Sequence, residues 1–337
     1  MWVVRPGIPD DLPDIQKLAS VEGSRVSTLP RDEEKLAEKL EHSRRSFAGD
    51  AGVRNNERFL FVLEDSRSGR VCGTAGIDAR AGNGQPFYNY RQDALIHASH
   101  ELGVSRRVGV LYPSHGLTDS TLLCSFMIES LLRDTDAFEL LSRARLLFIA
   151  QHRDRFADNM VVEIQGVRTD TGAVPFWDSL GRHFFNMDFD TADDYSGVLS
   201  KTFIAELMPP NPIYVTLLTD AAQAALGVSC DRAGKTVTVL EQEGFRRGHH
   251  IDIFDGGPVL QARTDALKSI VTCLRMKCRP SEEEHGPGYL VGAGTGPAFR
   301  CARSPLHEHL DGTAVVPVST EVLLGIQSGD EILVAPL

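Results

Sequence analysis

Apolar positions in the first 80 residues recur with the periods of strands and helices. They predict a strand at 2–6, helices at 12–19 and 31–47, and an antiparallel pair of strands at 59–63 and 71–77. The loop between the last two runs, Asp65-Ser66-Arg67-Ser68-Gly69, is rich in turn-forming residues. The pattern therefore indicates a mixed α/β unit that opens with a strand, two helices and a hairpin.

The middle of the chain predicts a strand, a loop and a helix. Residues 122–128 form a buried apolar run, and residues 138–151 place Leu140, Leu141, Ala144, Leu147 and Phe148 on one side of a helix. Free amide groups and the positive end of the dipole at a helix start stabilise phosphate charge. This segment is the one on which binding of a pyrophosphate should depend.

Further elements are expected along the rest of the chain: a strand at 161–167, a strand or helix start at 203–207, helices at 212–218 and 221–226, and a strand at 249–254. From Thr264 onward, short apolar runs alternate with Gly and Pro. We therefore expect one domain over residues 1–258 and a small β-rich C-terminal lobe over residues 259–337.

Composition and charge narrow the class of protein. The 337 residues carry a net charge of −11 with no dense run of Lys and Arg, which argues against a nucleic-acid partner. No stretch approaches the ~20 apolar residues of a membrane helix, and the N-terminus begins a strand instead of a cleavable signal. The six cysteines are scattered, without the paired spacing of a zinc site. A cytoplasmic protein with reduced thiols and no metal is expected.

The run Ile251-Asp252-Ile253-Phe254-Asp255-Gly256-Gly257-Pro258 is the most informative candidate site. A strand leads there into a turn that carries two acids and two glycines. The run resembles the arginine and ornithine N-succinyltransferases of bacterial arginine breakdown. Other stretches resemble the same family in the same order: Tyr88-Asn89-Tyr90-Arg91, His97-Ala98-Ser99, Phe176-Trp177, 203–209 and Glu243-Gly244-Phe245.

This resemblance implies an acyl-CoA N-acyltransferase (GNAT-like) fold. It also implies direct transfer of succinyl from succinyl-CoA, the co-substrate, to the α-amino group of arginine or ornithine. Phe126 matches the position that contacts succinyl-CoA through its backbone. Arg133 opens the run that matches the family's phosphate loop, Arg-x-x-Gly-x-Gly. Asp136 and Phe138 replace its two glycines, and Asp136 is expected to cap the following helix. A loop without glycines marks the α-type subunit of the two-subunit enzymes, which the chain resembles most.

The family's proton donor is a histidine in a Gly-x-x-His-Pro segment, and Cys230 stands at that position. A thiol can donate a proton to a leaving thiolate, because its ordinary pKa is about 8.5. A lost function at this position is an equally open alternative. His97, His249 and His250 are the remaining candidates for a base, and an ordinary hydrogen-bonded role is the main alternative for each.

Substrate recognition should involve opposite charges. Glu206, Asp252 and Asp255 lie in family-like stretches and could bind a guanidinium or an ammonium group, while Arg91 could bind a carboxylate. Structural ion pairs remain the alternative for each of them.

Two main functions stay open at this point, and an acyltransferase with a different acyl donor is a third alternative. The chain is either an active N-succinyltransferase or a catalytically weak or inert subunit that supports an active paralogous chain. The first reading follows from the resemblance, and the second follows from the changes at 136, 138 and 230. Either reading fits a homo-oligomer or a hetero-oligomer with a paralogous subunit.

Overall fold

The computed structural model describes residues 1–20, 28–53, 55–198, 202–308 and 312–337. Two compact units are formed from separate stretches of the chain. The first unit comprises Met1–Arg80, Thr121–Asp158 and Arg263–Leu337, and the second comprises Ala81–Ser120 and Asn159–Ala262. Both units contain helices and strands, which confirms the α/β class. The boundary expected after residue 258 stays a prediction.

The helices are α1 Leu12–Ala19, α2 Glu33–Phe47, α3 Asp136–Gln151, α4 Pro175–Ser179, α5 Gly181–Phe185, α6 Phe189–Val198, α7 Thr202–Leu207, α8 Asp220–Ala225, α9 Gly234–Glu243, α10 Lys268–Val271 and α11 Val318–Leu324. The strands are β1 Trp2–Pro6, β2 Arg58–Asp65, β3 Val71–Asp78, β4 Asn89–Ser99, β5 Val104–Ser114, β6 Thr121–Ile128, β7 Asn159–Glu163, β8 Ile213–Tyr214, β9 Arg246–Asp252, β10 Pro258–Arg263, β11 Leu274–Ser281, β12 Gly288–Ala293, β13 Arg300–Pro305, β14 His307–Glu308, β15 Thr313–Pro317 and β16 Glu331–Pro336.

The sheet of the first unit has the order β14-β15-β11-β16-β12-β13-β1-β2-β3-β6. Strands β2 and β3 are buried along nearly their whole length, as expected for runs that are apolar on both faces. Helix α3 packs on this sheet through Phe148, whose ring lies 5.3 Å from each of Phe47, Phe61 and Phe299. The predicted order of strand, two helices, hairpin, then strand, loop and helix is confirmed.

The sheet of the second unit has the order β7-β10-β9-β4-β5-β8. Strands β4 and β5 form a hairpin with continuous register from Asn89↔Ser114 to Ser99↔Val104. One face of β4 and β9 contributes Tyr90 and Ile251 to an apolar core that also contains Trp177. The alternate residues of β4 and β9 consequently lie on the opposite face.

One predicted element in the second unit differs from the structure. The helix expected at 212–218 is wrong: β8 pairs with β5 there, at Val110↔Tyr214, and a short 3-10 turn follows at Val215–Leu217. Pairing with β5 holds this segment extended, and the prolines at 209, 210 and 212 have no amide to donate to a helix. The segment 203–207, for which the sequence allowed either a strand or a helix start, is helix α7. No helix in the described parts of the chain is long and apolar enough to cross a membrane.

Candidate active site

Strand β6 bulges at the position expected to contact the coenzyme. Ser125 and Phe126 together face the single residue Ala75 of β3, and Ser125 has a φ of 49°, in the left-handed region. The Ser125 amide donates to Oγ1 of Thr28 at 2.8 Å, and the Ser125 hydroxyl donates to the Thr28 carbonyl. Because a bulge interrupts the hydrogen-bond ladder, it re-aims the backbone there. The role of Phe126 at this bulge stays a prediction.

A buried arginine of α3 holds the strands on either side of the bulge. Arg145 donates from Nη1 to the carbonyls of Gly76 on β3, at 3.1 Å, and of Cys124 on β6, at 3.5 Å. Its guanidinium also lies 5.5 Å from the centre of the Phe126 ring. Burial lowers the pKa of Arg145 to about 10, so the group remains a cation at neutral pH. A fixed positive charge therefore lies beside the bulge.

The start of α3 differs from the sequence expectation in one respect. Thr135, and not Asp136, is the capping residue, since its hydroxyl accepts from the Ala137 amide at 3.3 Å. Asp136 is the first residue of the helix and forms a 2.6 Å ion pair with Arg303 of β13. The helix end at which a pyrophosphate is expected thus carries a carboxylate that is already paired.

Phe138 belongs to the core of the first unit instead of lining an open loop. Its side chain is fully buried, and its ring lies 5.0 Å from the ring of Phe126 in an edge-to-face contact. The guanidinium of Arg133 lies 6.0 Å from the Phe138 ring and is half-buried. Arg133 as a coenzyme ligand stays a prediction.

In the second unit, the two acids of the turn after β9 hold its backbone. Asp252 Oδ1 accepts from the amides of Phe254 and Asp255 at 2.7 and 2.8 Å. Asp255 accepts at 2.7 Å from the amides of Gly166 and Gly257. A side chain at Gly257 would place its Cβ 2.2 Å from the Ile164 carbonyl oxygen, so the glycine permits this close approach. Burial and the nearby Asp252 raise the pKa of Asp255.

Cys230 lies next to this turn. Its amide donates to the Gln165 carbonyl at 2.9 Å, and its Sγ lies 3.6 Å from Gln165 Oε1. The neighbouring Gly227 amide donates to the Gly256 carbonyl, which ties the Cys230 loop to the turn. Burial, and secondarily the charge of Asp255, raise the pKa of the Cys230 thiol. The thiol is therefore protonated at neutral pH and is only partly exposed.

Arg91 and His250 are cross-strand partners on the face opposite the apolar core. The Nδ1 atom of His250 lies 3.1 Å from Gln261 Nε2, and burial together with Arg91 and His249 lowers the pKa of His250. The exposed guanidinium of Arg91 lies 3.5 Å from the Asp93 carboxylate.

The second unit thus brings Cys230, Asp252 and Asp255 together, with Arg91 two register positions away from Asp252. Glu206 is exposed on α7. His97 is exposed on β4, with its ring 5.7 Å from that of Tyr214. The binding roles of the sequence-derived residues stay predictions.

Sequence reasoning missed Asn89 and Glu163 in the same region. Asn89 pairs with Asp252 across β4 and β9, and its Nδ2 donates to Glu163 Oε1 at 2.9 Å. The sequence signals were weak. Asn89 is a polar residue between two tyrosines, and Glu163 is an acid that follows an apolar run.

Comparisons with known proteins agree on one family. The model of the family described as arginine N-succinyltransferase beta subunit matches residues 2–269. The arginine N-succinyltransferase subunit alpha of Pseudomonas aeruginosa is 41% identical over 98% of both chains, and an arginine N-succinyltransferase of Salmonella arizonae is 40% identical over 80% of this chain and 78% of its own. The solved structure of arginine/ornithine succinyltransferase subunit AI from Pseudomonas aeruginosa matches with a TM-score of 0.91 and 38% identity, covering 100% of this chain and 98% of that one.

Proposed function

Since this chain belongs to the arginine N-succinyltransferase family, we propose that it transfers the succinyl group of succinyl-CoA to the α-amino group of L-arginine, or of ornithine, in arginine breakdown. The observation that carries the proposal is the 41% identity to an arginine N-succinyltransferase subunit over 98% of both chains. The chain is an acyltransferase that uses an acyl-CoA. The free cysteines fit the reducing conditions of the cytoplasm, where we place the reaction.

The reaction is a direct transfer in one ternary complex. The amine nitrogen, after loss of a proton from the ammonium form, attacks the thioester carbonyl carbon. A new C–N bond forms, the C–S bond breaks, the thiolate takes up a proton, and the nitrogen loses its second proton. The products are the N-succinyl amino acid, free coenzyme A and one proton released to solvent.

Three groups of this chain can contribute to these steps. In the first unit, the bulge of β6 would bind the coenzyme through the Phe126 backbone, beside the cation of Arg145. The Cys230 thiol, which is protonated at neutral pH, would donate to the leaving thiolate.

Partners are part of the same proposal. A weak or inert supporting subunit is not favoured, because relatives that match over most of their length carry the name of the enzyme. We propose that the chain works as an oligomer, either with copies of itself or with a paralogous subunit.

The proposal is tested by thiol release from succinyl-CoA with the purified chain, alone and mixed with any paralogous subunit. Arginine and ornithine are compared as acceptors, with lysine as the control amine and acetyl-CoA as the control donor. We expect release that depends on succinyl-CoA and on arginine or ornithine, and a product whose mass has increased by one succinyl group. Absence of release with both amines, alone and in the mixture, would reject the function.

A further inference from the structure

Asp252 and Asp255, two of the three acids chosen from sequence, have much of their hydrogen-bonding capacity occupied by backbone amides. Both oxygens of Asp255 and one oxygen of Asp252 accept from amides of the chain itself. A carboxylate in this arrangement fixes a turn and has less capacity left to take a proton from a ligand. The deprotonation that the proposed transfer requires therefore calls for another group in this region.

Glu163 is the acid at the end of β7, and its side chain is partly exposed. Its Oε1 accepts from Nδ2 of Asn89 at 2.9 Å. Asn89 itself is fully buried, and its Oδ1 has no hydrogen-bond partner in the described parts of the chain. A buried amide oxygen without a donor destabilises the fold, because it has lost its hydrogen bond to water. The pair is therefore arranged at the expense of stability, which is common where a structure serves a ligand.

Glu163 also lies close in sequence to Gln165, the residue that contacts Cys230. The chain continues past Glu163 with the Ile164 amide bonded to the Pro258 carbonyl at 3.0 Å and with Gly166 bridged to Ser229. Residues two apart in such an extended run point to the same side, about 7 Å apart. Gln165, two residues after Glu163, is the residue whose side chain meets the Cys230 thiol.

We propose that Glu163 is the general base that takes the proton from the substrate's α-ammonium group, and that Asn89 is the positioning residue that orients its carboxylate. The inference rests on the proposed function and adds the proton acceptor to it. One proton passes from the ammonium nitrogen to Glu163 and then to solvent. The freed lone pair attacks the thioester carbon, and the Cys230 thiol donates a proton to the departing thiolate.

The first test is Glu163→Gln, with Glu241→Gln as the matched control. Glu241 is an exposed acid on α9 of the same unit. We expect Glu163→Gln to lower kcat by about 10²-fold or more, the usual scale for a positioned base, while succinyl-CoA affinity measured by calorimetry changes by less than about threefold. Glu241→Gln should leave kcat unchanged. A folded Glu163→Gln protein with kcat within threefold of wild type would overturn the inference.

The second test separates a base from a structural acid and does not depend on the first variant folding. Asn89→Ala removes the amide that stabilises the ionised Glu163, so the pKa of that carboxyl should rise. The acidic limb of the rate against pH should then move to higher pH, with most of the rate recovered above it, and Glu163→Asp should retain part of the rate. A uniform loss at every pH would overturn the assignment. The proposed function itself would be rejected if the wild-type chain released no thiol with arginine or ornithine, both alone and mixed with a paralogous subunit.

Discussion

The local environment of Cys230 decides what its thiol can do. Partial burial and the charge of Asp255 raise the thiol pKa, whereas the Ala233 and Arg232 amides act in the opposite direction. A thiol with a raised pKa keeps its proton through the neutral range and loses it only in alkaline solution. Donation by Cys230 should therefore be fully available at neutral pH and decline as the pH rises through the thiol pKa.

Substitution of Cys230 tests this directly. If the thiol is the proton donor, Cys230→Ala should lower kcat by about 10²-fold or more without loss of fold, and Cys230→His should keep or raise kcat because imidazole can also donate. Cys273→Ala is the matched control, since Cys273 is also a free and partly buried cysteine. Thiol release and circular dichroism provide the measurements. An active enzyme indifferent to Cys230→Ala would remove Cys230 from the mechanism.

Individual residues also show where sequence reasoning reached its limit. The run at 251–258 correctly pointed to a strand end with two acids, because alternation and glycines are local signals. One partner of Asp255, the Gly166 amide, is 89 positions away and depends on how distant segments meet. Asn89 and Glu163 are 74 positions apart, so no local pattern could pair them.

At the scale of elements, the start of α3 combines a helix dipole with a fixed acid. Asp136 lies at the positive end of the helix and is paired with Arg303. Phe138, which the sequence presented as an obstacle to phosphate, is a core residue, and its removal would cost about 3–5 kcal/mol. The charge at position 136 can therefore be removed to test the loop without disturbing the core.

We expect Asp136→Asn to strengthen succinyl-CoA binding by roughly two- to fivefold, the equivalent of 0.3–1 kcal/mol for one charge at a helix end. The neutral side chain no longer repels the pyrophosphate, and Arg303, which loses its ion pair with Asp136, can attract it. Glu139→Gln, which removes the same charge from a side chain paired with Arg143 in the next part of α3, should have a smaller effect. Calorimetry with succinyl-CoA measures the affinity of both variants. Unchanged affinity for Asp136→Asn would mean that the pyrophosphate lies elsewhere.

Elements defined by a strong period were predicted well, and weak ones were not. Helix α3 and strand β6 were found within two residues of their observed ends, because each has a long apolar pattern. The segment 212–218 was misassigned because pairing with β5, which is distant in sequence, decides its conformation.

At the scale of the whole molecule, the outer part of the β4–β5 hairpin, residues 94–108, is paired mainly with itself. Strand β9 meets β4 at Asn89 to Arg91, and β8 meets β5 at Val110 and Leu111. A two-stranded ribbon alone is marginally stable in water. This outer part also exposes Ile96 and Leu102, at 75% and 78%.

If the chain forms the oligomer proposed above, we expect this outer hairpin to contribute to its interface. Changing Ile96 and Leu102 together to Lys should lower the molecular mass measured by light scattering, because charges would replace apolar contact area. Val322→Lys is the matched control, since Val322 is an equally exposed apolar residue of α11. A mass that is the same for wild type and the double variant would exclude the hairpin from the interface.

The interleaving of the two units could not be read from the sequence. Composition changes after residue 258 and predicts a boundary there, which stays a prediction. The order in which strands β11 to β16 and β1 to β3 share one sheet had no signal in the sequence. Which strand lies beside which is set by packing between segments hundreds of residues apart, and apolar periodicity carries no information about that choice.

The pairing of Val4 in β1 with Cys301 in β13 has a consequence for synthesis of the chain. At ~5–20 residues per second, a ribosome adds the roughly 300 intervening residues in about 15–60 s. Throughout that time, one edge of β1 has no strand to bond with, and an open edge can pair with other nascent chains. The enzyme should therefore depend on chaperones while it is being made, and translation that stops before β13 should yield aggregates instead of a shorter folded protein.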